Sequence, residues 1–412
     1  MVKMFHNTDI AIIGGGASGL IAAITAKRKN PALRVTLLEG LDRVGKKLIT
    51  TGNGRCNITN LDLSLSHFHG ENKDFCRYAI SRFGYSATKD FFESVGVDFV
   101  TENNRVYPAS LQASSVVDAL RFECDRLGVE TLLSCKITDI KKSDCFTLFA
   151  NDKKIVAKAV IVATGLFSGG DKIGSDGSIF RVLKNMGLSS VKATPSLVQL
   201  KTETDFVKQL KGIKTDAKAT LLKDGKALSE NTDEVLFCDY GLSGPAILQI
   251  SRESARDERK YEVSLDLYPD TEKSVLTDRI EKRISLFGNR NLDEFFTGSV
   301  NKRLGQVVLK YCGFKLSDPV SSLTKNDASK IASALKDLRF KVTSNTGFLN
   351  SQVTAGGLST RDFDDKTMMC KKISGLFASG EILDIDGDCG GFNLAWSWAS
   401  GSLAAESAVD YI

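Results

Sequence analysis

Three glycines at fixed spacing behind an apolar run, Ile10-Ala-Ile-Ile-Gly14-Gly-Gly16-Ala-Ser-Gly19, are the residues of this chain best suited to hold an anion. Gly14 permits a tight strand-to-helix turn, Gly16 lets main chain approach a diphosphate, and Gly19 lets the helix pack closely on the sheet. A helix starting at Ala17, with Ser18 in its first turn, would then face the anion with unpaired N–H groups. Glu39 ends a second apolar run, Arg34-Val-Thr-Leu-Leu-Glu39, where a carboxylate can accept hydrogen bonds from ribose hydroxyls. A glycine turn alone is common. Strand, turn, helix, second strand and acid falling in register point to a dinucleotide.

A second constellation follows near the end of the sequence: Gly375-Leu-Phe-Ala-Ser-Gly380-Glu381, an acidic turn through Asp384, Asp386 and Asp388, then Gly390-Gly391-Phe-Asn393-Leu394 opening a helix. This order suits the remainder of FAD. The acid meets the ribityl or diphosphate portion, and the new helix's amides stabilise negative charge near N1 and O2 of the flavin. Between the two lies Thr51-Gly-Asn-Gly-Arg55-Cys56-Asn57-Ile-Thr-Asn60, polar and turn-rich, in which Arg55 can clamp an anionic oxygen through two parallel bonds. Lys47 can meet phosphate. Cys56 has no histidine beside it, so thiol chemistry is not expected there. Trp396 and Trp398 are expected to pack in the core.

The elements that must position these groups are legible in outline. A helix is expected from Ala17 to about Lys29, stopped by Pro31, and 74–128 read as mostly helical. Strands follow over 136–140, which carries Ile137, over 146–149 and over 159–163, leading into Thr164-Gly165. From Ser196 short β pieces appear, with a hairpin turn at Asp224-Gly225. Residues 272–340 then read as helical, with a capping box at Thr324 and Asp327 starting the last helix. The expected domains are 1–195 as the first part of a nucleotide domain, 196–270 as a β-rich insert, 271–340 as a helical region, and 341–412 as the nucleotide domain's return.

The bulk numbers limit the alternatives. A chain of 412 residues exceeds one growing core, and its mild net charge of +5, with no block of five or six like charges, argues against nucleic acid. Nine cysteines without a CxxC pair signal neither a zinc site nor a dithiol couple, so no metal is expected and a reducing cytoplasm fits. The apolar stretch from Ile10 to Ala26 is broken by glycines and reads as neither leader nor membrane span.

Gly45-Lys-Lys-Leu48, the 51–60 loop, Arg105-Val-Tyr107-Pro, Gly241-Leu-Ser-Gly-Pro-Ala-Ile-Leu, Gln352-Val-Thr-Ala-Gly-Gly357 and the 380–394 segment together resemble the YhiN-like (BaiN-like) bacterial flavoproteins, in order and over essentially the whole chain. The resemblance implies an α/β, glutathione-reductase-like FAD domain carrying an inserted β-barrel and helical unit. It places FAD at Gly14, Gly16, Ala17, Ser18, Glu39, Arg55, Gly165, Glu381, Asn393 and Leu394. Further candidates for cofactor contact are Gly19, Lys47, Asn57, Ile137, Thr164, Gly357, Gly380 and Gly391. Two departures stand out: Thr164-Gly165-Leu166 where the family has Thr-Gly-Gly, and Cys238-Asp239 where many members have Thr-His. The only histidines are His6, His67 and His69, the latter two expected on a polar surface loop.

The expected activity is hydride exchange between FAD and a small organic substrate, an alkene next to a carbonyl or an amine/imine pair. Arg55, Arg105 and Tyr107 are the candidate catalytic contacts. With a single glycine fingerprint, NAD(P)H is at most a transient electron donor. Flavin-dependent modification of RNA and non-catalytic flavin binding are the alternatives. Oligomeric state is not legible.

Overall fold

The computed structural model describes residues 4–150, 153–255 and 260–412. The chain divides into two compact units, Met1–Pro195 with Gln352–Ile412, and Ser196–Ser351.

The first unit is built on a seven-stranded sheet. Strand β1, Met4–Ile13, lies between β2, Val35–Leu38, and the strand Lys153–Val162, parallel to both, with Ile10 opposite Val35 and Ala159. Glu130–Leu132 adds to β2, and Leu376–Ala378 adds in parallel to Lys153–Val162. Phe146–Ala150 and Asp139–Lys142 extend the sheet antiparallel. All four β2 residues are buried, as in a parallel strand covered on both faces. One core links this sheet to helix α1, Ala17–Lys29, and to the helix Phe392–Tyr411. The two helices pack directly: a Cβ on Gly401 would come within 2.5 Å of the Ser18 carbonyl oxygen, so only glycine permits the approach.

Two sequence readings differ here. The stretch 74–128 is helical only in parts, because an antiparallel hairpin, Phe99–Glu102 with Arg105–Pro108, interrupts it at a turn of two left-handed asparagines, Asn103 and Asn104. Thr59–Asn60 pairs with the same hairpin. The return from the helical segment also begins differently, since Leu338–Asn345 belongs to the second unit.

That unit is a closed six-stranded barrel, in the order Leu200–Thr202, Gly241–Ser243, Lys226–Phe237, Lys214–Lys223, Tyr261–Asp266 and Leu338–Asn345. The last strand pairs with the first and closes the barrel, which removes every sheet edge. The hairpin turns at Asp224-Gly225. Helices Lys273–Phe287, Lys302–Tyr311 and Lys325–Lys336 share its core, and the Thr324–Asp327 capping box starts the third.

Candidate active site

The glycine turn forms the first end of the site. Gly14 has φ of 105°, and its N–H donates to the Leu38 carbonyl over 2.8 Å. A Cβ on Gly19 would lie 1.9 Å from the Gly14 oxygen, which is how closely turn and helix pack. A Cβ on Gly16, by contrast, would meet nothing within 4 Å. Gly16 is the N-cap of α1 and offers no side-chain cap, and no hydrogen bond among the described residues takes up the N–H groups of Gly16, Ala17 or Ser18. Free donors facing open space are what a diphosphate requires. Glu39 is tied to this turn: one carboxylate oxygen accepts from the Gly15 N–H and the other from the Leu41 N–H, both over 2.8 Å. The carboxylate is thereby fixed, with lone pairs left for ribose hydroxyls. Ile137 is buried, and none of the hydrogen bonds among the described residues engages its main chain.

The second end is the start of Phe392–Tyr411. Its N-cap, Gly391, has φ of 100° and stands where a Cβ would lie 2.4 Å from the Thr59 carbonyl oxygen and 2.9 Å from the Asn57 Oδ1. The N–H groups of Gly391, Phe392, Asn393 and Leu394 have no partner among the described residues. Asn393 corrects the sequence reading in part. Its side chain is consumed internally, accepting from the Gly387 N–H and donating to the carbonyls of Gly387 and Asp388, so only its main chain is available to a ligand. Asn57 is buried, and its Oδ1 has no partner.

Between the ends, Lys47 donates to Glu381 over 2.5 Å, and Glu381 also accepts from the Thr354 N–H. Both residues were expected at the cofactor; the structure joins them to each other. Gly380 adopts φ of 71° beside Ser18, its N–H donating to Ser400 and its carbonyl accepting from the Trp396 indole. Trp396 and Trp398 are core residues, the latter donating to the Ile58 carbonyl. Thr164-Gly165 leads into a turn whose Phe167 and Ser168 N–H groups donate to Thr354 Oγ1. A Cβ on Gly165 would meet nothing within 4 Å, whereas one on Gly357 would lie 2.7 Å from the Ile382 carbonyl oxygen. Gly357 is thus required by the protein's own main chain.

Arg55 and Tyr107 come together. The guanidinium carbon lies 4.2 Å over the Tyr107 ring, and Nη2 donates to Glu102 over 2.6 Å. The Glu102 bond raises the Arg55 pKa above its ordinary value, so the cation is permanent. Tyr107 is buried and serves as a platform. Arg105, on the same strand, stands opposite Asn60 and Glu102 in the ladder. Burial pushes the Cys56 thiol up to about 12, which leaves it protonated and inert. Glu102 was missed by sequence reasoning, though the Asn103-Asn104 pair before Arg105-Val-Tyr107 carried a hairpin signal.

His67 and His69 are more than surface residues. Both meet Asp388, over 2.8 and 2.7 Å, and His67 stacks on Phe392 at 4.4 Å. They hold the acidic turn that precedes the second helix end. Among the described residues no group of three or more His, Cys, Asp or Glu could hold a metal ion, and no helix is long and apolar enough to cross a membrane.

A Rossmann-type sheet with a fixed carboxylate beside its glycine turn and two helix ends without side-chain caps, taken with the family and the full-length relative that follow, marks an FAD-dependent oxidoreductase. The residues present fit the cofactor at each of these points. The chain belongs to the HI0933-like family, whose Rossmann-domain model matches residues 8–407. It is 35% identical over 405 residues to the 3-dehydro-bile acid delta(4,6)-reductase of Clostridium scindens, covering 97% of this chain and 99% of that one. It is 27% identical to the ribosomal RNA dihydrouridine synthase of Escherichia coli, covering 97% and 98%. Among solved structures, an E. coli quinol fumarate reductase superposes with a TM-score of 0.52 at 16% identity, over 99% of this chain and 71% of that one. The 3-ketosteroid delta1-dehydrogenase of Sterolibacterium denitrificans does so at 0.50 and 11%, over 98% and 100%. These two share the fold.

Proposed function

We propose that this protein reduces a carbon–carbon double bond conjugated to a carbonyl in a small organic molecule. The observation that carries the reading is the full-length relative at 35% identity, which is named for reduction of such bonds in a 3-oxo steroid acid. FAD supplies the hydride from N5 when bound. The chain's own residues do the rest. The free amides of Gly16, Ala17 and Ser18 bind the diphosphate, and Glu39 fixes a ribose. The amides at Gly391 to Leu394 stabilise negative charge on the flavin's pyrimidine side. Arg55, held over the Tyr107 ring, provides a cation for the carbonyl oxygen as negative charge develops on it.

The test is anaerobic. Protein reduced photochemically is mixed with a cyclic enone, a cyclic imine or a simple amine while flavin absorbance is followed. Reoxidation by the enone within seconds supports the reading; reoxidation by the imine alone overturns it.

A second reading is favoured by the two relatives at 27% identity named ribosomal RNA dihydrouridine synthases. The C5=C6 bond of uracil is itself conjugated to a carbonyl, so the chemistry is shared and the substrate differs. Loss of a dihydrouridine from ribosomal RNA in a strain lacking this gene, by mass spectrometry, would move the substrate from a small molecule to RNA.

A further inference from the structure

The loop that presents Arg55 is built at a cost. Gly52, Asn53, Gly54 and Cys56 all adopt left-handed backbone, with φ of 57°, 56°, 82° and 58°, and two of the four are not glycine. Such conformations persist where the surroundings over-determine them, and they concentrate at functional sites. Arg55 itself is helical at φ of −94°, and its Nε is buried with no hydrogen-bond partner. Strain and an unsatisfied donor are both tolerated to hold this one guanidinium over Tyr107.

The partner at its open edge is of a different kind. Glu102 is half exposed and ends the first strand of a short hairpin, one residue before the Asn103-Asn104 turn. Among the described residues its carboxylate accepts from Arg55 Nη2 alone. A solvated ion pair of this sort exchanges for another at little cost.

We propose that Glu102 is a resident counter-ion, occupying the anion-binding edge of Arg55 until an anionic oxygen of the substrate displaces it. The exchange conserves charge, one carboxylate leaving as one oxyanion or carboxylate arrives. Loop strain and the Tyr107 face keep the guanidinium in place meanwhile, so the fork is ready when its edge is vacated. A neutral carbonyl repays less of the lost Glu102 pair than an anion does, and the pair therefore favours charged ligands over neutral ones. This deepens the proposed function and rests on it for the anion being the substrate's.

The experiment is calorimetric titration of the protein, purified after incubation with FAD, at low salt with benzoate, a small planar carboxylate, and with benzamide, its neutral isostere. Glu102→Gln removes the competing charge at an exposed position. Benzoate affinity is expected to rise about fivefold, the factor carried by a surface ion pair at the upper end of its range. Benzamide affinity is expected to stay unchanged. Adding Arg55→Gln to that variant should abolish the gain. A benzoate gain under twofold, an equal gain for benzamide, or a gain that survives the double change would overturn the proposal. Flavin content measured on the same samples separates the two readings: a flavin-free protein that shows the gain loses the flavin reading and keeps the counter-ion, and a fully loaded protein without the gain does the reverse.

Discussion

Gly16→Ala separates cofactor binding from folding. Gly16 has φ of −82° and ψ of −166°, which alanine adopts freely, and the new methyl would meet no atom within 4 Å. Two small effects oppose each other. Alanine is a poorer N-cap than glycine by about 0.5–1 kcal/mol, while restricting the unfolded chain stabilises by about 0.4–1 kcal/mol. The apoprotein should therefore melt within a few degrees of the parent. The methyl nevertheless adds bulk at a turn whose next N–H groups are free. Losing one charge-assisted bond to a diphosphate costs about 1.5–3 kcal/mol, so the FAD dissociation constant should rise about 10- to 150-fold. Gly19→Ala is the contrast, since its methyl meets the Gly14 oxygen at 1.9 Å and both folding and FAD binding should fail. Flavin fluorescence quenching gives the affinity and scanning calorimetry of the apoprotein gives the stability. A Gly16→Ala protein binding FAD within twofold of the parent would show that no diphosphate approaches this turn.

Glu39→Ala should weaken FAD binding about 10- to 150-fold through the lost ribose bond, and should also lower apoprotein stability, because the Gly15 and Leu41 amides lose their acceptor; an unchanged dissociation constant counts against the ribose assignment. Native labelling with iodoacetamide at pH 7.5, read by mass spectrometry, should modify Cys145, Cys238 and Cys389 first and leave Cys56 untouched until unfolding; early modification of Cys56 would contradict its burial. Burial alone would raise the Asp362 pKa, but bonds from Lys372 and the Ser189 N–H outweigh it and hold the group below its ordinary value. With a depressed folded pKa, its contribution is full above about pH 4 and is lost as pH falls further. Urea titrations between pH 5 and 2.5 should thus show a shallower acid-side loss for Asp362→Asn than for the parent; equal slopes would refute the assignment.

What the sequence disclosed was local. Gly14, Gly16, Gly19 and Glu39 act within one strand-turn-helix-strand unit, Asp224-Gly225 makes its own turn, and Thr324 caps a helix three residues away; each signal lies within the segment it shapes. What stayed hidden was pairing at a distance. Leu338–Asn345 follows a helix and declares itself a strand only by pairing with Leu200–Thr202 and Tyr261–Asp266. The grip of His67 and His69 on Asp388, and of Lys47 on Glu381, spans more than 300 residues of sequence. Asn393 stands at the helix start that the sequence suggests, but its side chain's direction is set by Gly387 and Asp388, which no spacing rule reaches.

The close approach of Gly401 to Ser18 has a consequence for synthesis. Helix α1 emerges from the ribosome early, yet the helix that packs on it lies beyond residue 391 and the whole of 196–351 comes between. At about 5–20 residues per second, that intervening segment alone delays completion by roughly 10–30 s. Through that interval the apolar face of α1 and the glycine turn wait without their partner, while the barrel unit has all its strands in one continuous stretch and can close first. Capture of the whole cofactor is thereby deferred until the segment beyond residue 391 has been made, and a chain cut short before residue 391 carries the dinucleotide fingerprint without the second helix end.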